Sequence, residues 1–162
     1  MPHTPAFSPH VLKTHAPPLF VMARAVRFQD VDAAGTVFFP RVLEYFSDAY
    51  LAFLDARGID LPGDLARGEG RAPLAHAEAD YLAPLHFGSA IAVEIVGARL
   101  GGTSFTLGYR ITARHDEGRT LYAVGQTVHV FVDGQTFKPC AIPAEFRGAL
   151  APPAGNPEGT AL

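Results

Sequence analysis

Along residues 25–31, AVRFQDV, apolar and polar side chains alternate, the period of a half-buried strand. From residue 40 the period changes. Val42, Leu43, Phe46, Ala49, Tyr50, Phe53 and Leu54 recur at three- and four-residue spacing, with Arg41, Glu44, Asp48 and Asp55 opposite, which predicts a helix over 40–57. Pro40 suits its first turn, where a missing N–H is no loss, and Gly58 suits its end. So wide a stripe means that most of the helix is covered. A polar loop follows over 60–71, and the pattern then settles to period two. Strands are expected near 73–82, 89–100, 103–114, 119–132 and 136–141. They are separated by HFGS (86–89), LGGT (100–103), HDEG (115–118) and VDGQ (132–135), each with a glycine for the reversal.

One helix followed by long antiparallel strands makes an α+β protein, its sheet of five or six strands wrapped around one central helix. A single sheet cannot cover its own other face and edges, so a homodimer or homotetramer is expected. At 162 residues the chain is a single-domain candidate. Residues 1–20, rich in proline, read as a mobile N-terminal arm, residues 21–150 as the folded unit, and residues 151–162, APPAGNPEGTAL, as a disordered tail.

Composition narrows the function. The chain is 48% hydrophobic and 18% charged with a formal net charge of −3, so nothing favours nucleic acid as a partner. No apolar run is long enough for a membrane span, and the first 20 residues lack the apolar core of a signal peptide. The single cysteine, Cys140, cannot close an internal disulfide; the expected location is the cytoplasm. G-x-S-x-G, Walker, H-E-x-x-H and Cys-x-x-Cys motifs are all missing, and the histidines do not repeat at ligand spacing. The expectation is an activity without metal or cofactor.

The candidate chemistry lies in QDVDAAGTVFFP, residues 29–40. Asp30 and Asp32 could be a solvated turn in which one side chain caps backbone amides. Asp32, however, precedes a bare Ala-Ala-Gly turn, with the apolar Val37, Phe38 and Phe39 directly beyond. Free amides at the helix start near Phe39 could hold a developing oxyanion. A carboxylate and an oxyanion site facing one dry cleft are the parts that acyl transfer to water requires.

The run V-R-F-x-D-x-D-x-A-G-x-V-F-F-P, from Val26 to Pro40, resembles the signature of the 4-hydroxybenzoyl-CoA thioesterase family of hotdog-fold enzymes. The resemblance continues through PLAHAEADYLAPLHFGSAI (73–91), the TSF at Thr103, and HVFVDGQTFKPCAIPAEFRGAL (129–150). Within that family, HAEADYLAPL and the AAG after the second aspartate look most like the 1,4-dihydroxy-2-naphthoyl-CoA hydrolases of quinone biosynthesis. The resemblance implies Asp32 as catalytic carboxylate, a structural role for Asp30, and the Phe39 backbone amide as oxyanion donor. It also implies an acyl-CoA substrate, with Ser47 aligned to a substrate-recognising position on the helix. Phe38, Phe39 and Tyr45 would form an aromatic wall favouring an aromatic acyl group. Where the family's named member grips phosphates with a basic run, this chain has GGT (101–103), leaving Arg99, Arg110 or Lys138 for that task.

His76, Glu78 and Asp80 share one face of a strand, and His76 is a further candidate for the pocket. His129 reads as a satisfied strand histidine. Three alternatives stay open: a thioesterase for short aliphatic acyl-CoA, a hydratase using His76 with Glu78, and a non-catalytic acyl-CoA binding module.

Overall fold

A computed structural model of the chain describes residues 5–14, 17–69, 71–115 and 118–151. Its elements run α1 (Pro9–Lys13), β1 (Phe20–Ala25), a 3₁₀ turn (Phe28–Asp30), α2 (Pro40–Ala56), α3 (Leu61–Ala66), β2 (Leu74–Tyr81), β3 (Ala90–Leu100), β4 (Ser104–His115), β5 (Gly118–Val130) and α4 (Ala144–Leu150). The five strands form one antiparallel sheet in the order β1-β3-β4-β5-β2. The sheet wraps α2, and the hotdog arrangement expected from the sequence is present.

The helical stripe does what its width implied. Val42, Tyr45, Phe46, Ala49, Tyr50, Phe53 and Leu54 are all buried against the inner face of the sheet. The Phe46 ring stacks on Tyr109 of β4 at 4.6 Å between centroids. On β5, a Cβ on Gly125 would stand 2.6 Å from the Phe46 ring. Only a glycine lets the helix sit this near the sheet, and each large side chain buried there contributes about 1.5–3 kcal/mol. Inner positions of β3 and β4 (Ile91, Val93, Ile95, Phe105, Leu107, Tyr109 and Ile111) supply the opposing wall.

One polar chain crosses this core. The His129 Nδ1–H donates to the Ala72 carbonyl at 3.1 Å, which leaves Nε2 to accept from the Thr127 hydroxyl, also at 3.1 Å. Tyr109 meets the same hydroxyl, and the imidazole stacks on Phe105 at 5.0 Å. Burial pushes the His129 pKa down, only partly opposed by the bond to Ala72, so the ring is neutral in the fold. His129 is a satisfied strand histidine.

Several expected boundaries move. The strand expected over 25–31 lies earlier, at Phe20–Ala25, and residues 28–30 turn into a 3₁₀ helix because Asp30 bonds back to Arg27. The polar loop carries α3, capped by Asp60 on the Gly63 amide. No strand forms over 136–141. Asp133 gathers the Gln135 and Thr136 amides into a turn, and one bridge, Val132 to Pro139, remains. Over 5–14 the N-terminal arm carries α1 and lies against the sheet. The tail over 152–162 lies outside the described residues. Among the described residues no helix is long and apolar enough to cross a membrane.

Phe46→Ala should lower stability by about 3–5 kcal/mol, since the sheet cannot collapse onto the vacated volume. Denaturant melts of the two proteins measure it directly; a loss under about 1 kcal/mol would mean that α2 is not seated as described.

Candidate functional site

The two aspartates have opposite environments. Asp30 is fully buried. Its carboxylate accepts from the Arg27 backbone N–H at 3.0 Å and from the Arg27 guanidinium at 3.1 and 3.3 Å. Arg24 and Arg41 stand at 3.7 and 4.0 Å. Burial alone would raise the Asp30 pKa, but the Arg27 side-chain and backbone bonds, with the neighbouring Tyr45 hydroxyl, outweigh it and hold it at about 2. The Asp30 carbonyl also accepts from the Phe38 N–H at 2.8 Å. One residue therefore ties together the end of β1, the 3₁₀ turn, and the approach to α2.

Asp32 stands at the surface, on a small hairpin closed by the Val31–Val37 bridge. Its N–H donates to Thr36 and its carbonyl accepts from Gly35, while its Oδ1 accepts from the Ala34 amide at 2.8 Å. Gly35 turns the chain at φ +77°, a conformation a side chain would strain. The hairpin is fixed from behind by Val37 N–H to the Leu85 carbonyl, the Thr36–His86 bridge, and a 3.2 Å contact between His86 Nδ1 and the Gly35 carbonyl. Local hydrogen bonds hold the backbone and one oxygen of Asp32. Among the described residues its other oxygen, Oδ2, has no hydrogen-bond partner.

Phe39 is the N-cap of α2, followed by Pro40, which has no N–H to offer. The Phe39 N–H donates to no group among the described residues. Its carbonyl is held twice, by the Val42 N–H at 3.3 Å and by the Tyr81 hydroxyl at 2.8 Å. The first usable donor at the positive end of the helix is thus an unspent amide on a fixed peptide. A cleft of about 350 Å³ runs between Thr36, Val37, Val42, Tyr81, Leu85 and Tyr122, and Tyr81 on its wall is the residue that bonds the Phe39 carbonyl.

Other expected site residues divide. Phe38 and Phe39 are exposed and meet edge to face at 5.1 Å. Tyr45 does not join them: it is buried, with the Arg24 guanidinium 3.8 Å from its ring centre and its hydroxyl among the groups that lower the Asp30 pKa. Its spacing from Val42 and Ala49 puts it on the buried stripe, so it supports Asp30 rather than lining a cleft. Ser47 is exposed on the outer side of α2, beside Asp48. His76 pairs with Glu78 at 3.2 Å, but both point from the sheet face opposite α2, where Glu78 meets Gln126. The pair is separated from Asp32 by the sheet itself.

Of the proposed phosphate grips, Arg110 is removed. It is buried, bonded to Glu94 at 2.5 Å and to the Thr14 carbonyl. Arg99 and Lys138 are exposed. Arg24, Arg27 and Tyr81 carry structural work that the sequence reading missed. The spacing of Arg27 and Asp30 was a usable signal, since side chains three apart meet along one turn.

A helix held inside an antiparallel sheet, with a bare carboxylate and an unspent amide at its N-terminal end, defines a hotdog protein of the thioesterase kind. The model of the thioesterase-like superfamily matches residues 26–150, and the chain belongs to that superfamily and so to the thioester hydrolases. It is 35% identical over 128 residues to a 1,4-dihydroxy-2-naphthoyl-CoA hydrolase of Synechococcus elongatus, covering 78% of this chain and 91% of that protein. The crystal structure of a 1,4-dihydroxy-2-naphthoyl-CoA thioesterase from Synechocystis superposes with a TM-score of 0.74 at 29% identity, over 81% of this chain and 94% of that one. A gentisyl-coenzyme A thioesterase superposes at 0.69 with 28% identity, over 82% and 100%.

Asp30→Asn should destabilise the fold by about 2 kcal/mol at neutral pH, the worth of a carboxyl pKa lowered this far. The sign follows from a folded pKa of about 2 against an ordinary 3.8. The contribution is complete above pH 4 and disappears as pH falls towards 2, so the two proteins should converge in acid. Melting curves of both across that range test it, and a gap that stays constant down to pH 2 would contradict the assignment.

Proposed function

We propose that the protein hydrolyses an aromatic acyl-CoA to the free acid and CoA, with Asp32 as the reactive carboxylate. The observation that carries the reading is the contrast at the hairpin. One aspartate is buried and neutralised by guanidiniums, and the other stands exposed on the hairpin that leads into the unspent amide at the start of α2. The Phe39 N–H takes the thioester carbonyl oxygen as it gains charge. Asp32 either attacks the carbonyl carbon, expelling CoA thiolate and leaving an anhydride that water opens, or removes a proton from the attacking water. Both routes return the carboxylate, and thiolate leaves without a strong general acid.

The proposed seat of the acyl ring is the cleft lined by Thr36 and Tyr81, and the exposed Phe38 and Phe39 add aromatic surface on the segment that enters α2. The substrates named for the three proteins above are aromatic, which supports a dihydroxynaphthoyl or hydroxybenzoyl group over a short aliphatic one. The site is completed by a second copy of the chain, in a homodimer or homotetramer. In support, β2 is an edge strand paired only with β5, and Phe28, Phe87, Phe38, Phe39 and Leu82 expose apolar surface around the hairpin. Ser47, on the exposed side of α2, can meet a ring hydroxyl only across such an interface.

Thiol release from a panel of acyl-CoAs tests the activity. Aromatic substrates should give the higher kcat/KM; faster turnover of short aliphatic ones would leave only the superfamily, and water addition without thiol release would indicate a hydratase. Asp32→Asn, nearly the same shape, should fold normally and lose about 10²–10⁴ in kcat. A folded variant keeping more than about a tenth of the rate would remove Asp32 from the mechanism.

A further inference from the structure

The outer face of the sheet is already occupied. Gly97 of β3 and Gly108 of β4 are cross-strand partners, and together they leave a shallow seat where two side chains would otherwise stand. Phe7 and Leu12 fill it. A Cβ on Gly97 would meet the Phe7 ring at 2.9 Å, and one on Gly108 would meet a Leu12 methyl at 2.7 Å. Leu12 is as buried as a core residue.

Polar bonds fix the same segment from both ends. The buried Gln126 accepts from the Ala6 and Phe7 amides at 3.1 Å each and donates to the Phe7 carbonyl at 3.2 Å. At the other end the buried Arg110 donates to the Thr14 carbonyl while Glu94 holds its Nε at 2.5 Å. Ser8 caps the short helix between them. This segment precedes the superfamily match, which begins at residue 26.

We propose that residues 5–14 are the built-in occupant of the outer sheet face, and that by filling it they keep a second copy of the chain from packing against it sheet to sheet. Without them the face would present the flat Gly97, Gly108 and Val124 patch, bordered by Gln126 and by the Arg110–Glu94 pair. Such a surface stacks readily on another sheet. The strap thus limits assembly to contacts made elsewhere, such as the β2 edge. It is independent of the chemistry at Asp32.

The test uses the full chain and its Phe7→Ser, Leu12→Ser double variant, neither position lying inside the sheet or α2. Hydrogen exchange read by mass spectrometry should show residues 5–14 protected in the unaltered chain and exchanging at least about tenfold faster in the variant, as expected when two apolar anchors are lost. Light scattering from micromolar to millimolar chain should then give a variant mass that doubles relative to the unaltered protein. Unprotected exchange in the unaltered chain would overturn the proposal, as would equal protection in both. A variant with an open segment and an unchanged mass, or one that aggregates without a doubled species, would overturn it as well. A failure of the dimer proposed above would instead change the starting mass of both proteins alike.

Discussion

A buried carboxylate among three guanidiniums is the constraint on which the rest of this site depends. Charge removed from water is costly unless it is paired and hydrogen-bonded, and Asp30 is both. Hydrogen bonds to charged groups contribute about 1.5–3 kcal/mol each, so the cluster holds its geometry firmly once formed. Its members come from β1, the 3₁₀ turn and the first turn of α2. Removing the charge would leave Arg24, Arg27 and Arg41 facing one another with no anion between them.

What this cluster produces is a rigid hairpin with one free acid on it. Phe38 bonds to the Asp30 carbonyl, the hairpin bridges to His86, and Tyr81 pins the peptide carbonyl of Phe39. The backbone of Asp32 and the amide of Phe39 are both held before any substrate arrives, the preorganisation that lets a fixed dipole favour developing charge. Among the described residues the Asp32 carboxylate accepts a hydrogen bond only from the Ala34 amide of its own turn, and its exposure leaves it open to a substrate or to a second copy of the chain.

The central helix and four of the five strands were legible because their periods are long and uninterrupted: Val42 to Leu54 for the helix, and the alternating runs of β2 to β5. The errors have local causes. AVRFQDV alternates like a strand, yet Asp30 offers the Arg27 amide a competing bond and the chain turns. Residues 136–141 alternate too, but Asp133 collects the preceding amides into a turn. The arm looked mobile because its proline content masks just two apolar anchors, Phe7 and Leu12, whose seat is made of glycines far along the chain. The two acids could be ranked from the Ala-Ala-Gly turn and from family resemblance. That Arg24 and Arg41 also reach Asp30, and that Tyr81 holds the Phe39 carbonyl, depends on packing between elements that no short window reveals.

The division of labour between the two aspartates is the central claim, and it is tested most directly by the turnover of Asp30→Asn per folded molecule. The variant should be assayed for thiol release at a temperature where its melting curve shows it native, with the active fraction taken from that curve. A structural Asp30 predicts kcat within about tenfold of the unaltered enzyme, because Asp32 and the Phe39 amide are still present. A fully folded Asp30→Asn protein that releases no thiol would contradict the account and transfer the chemistry to the buried acid.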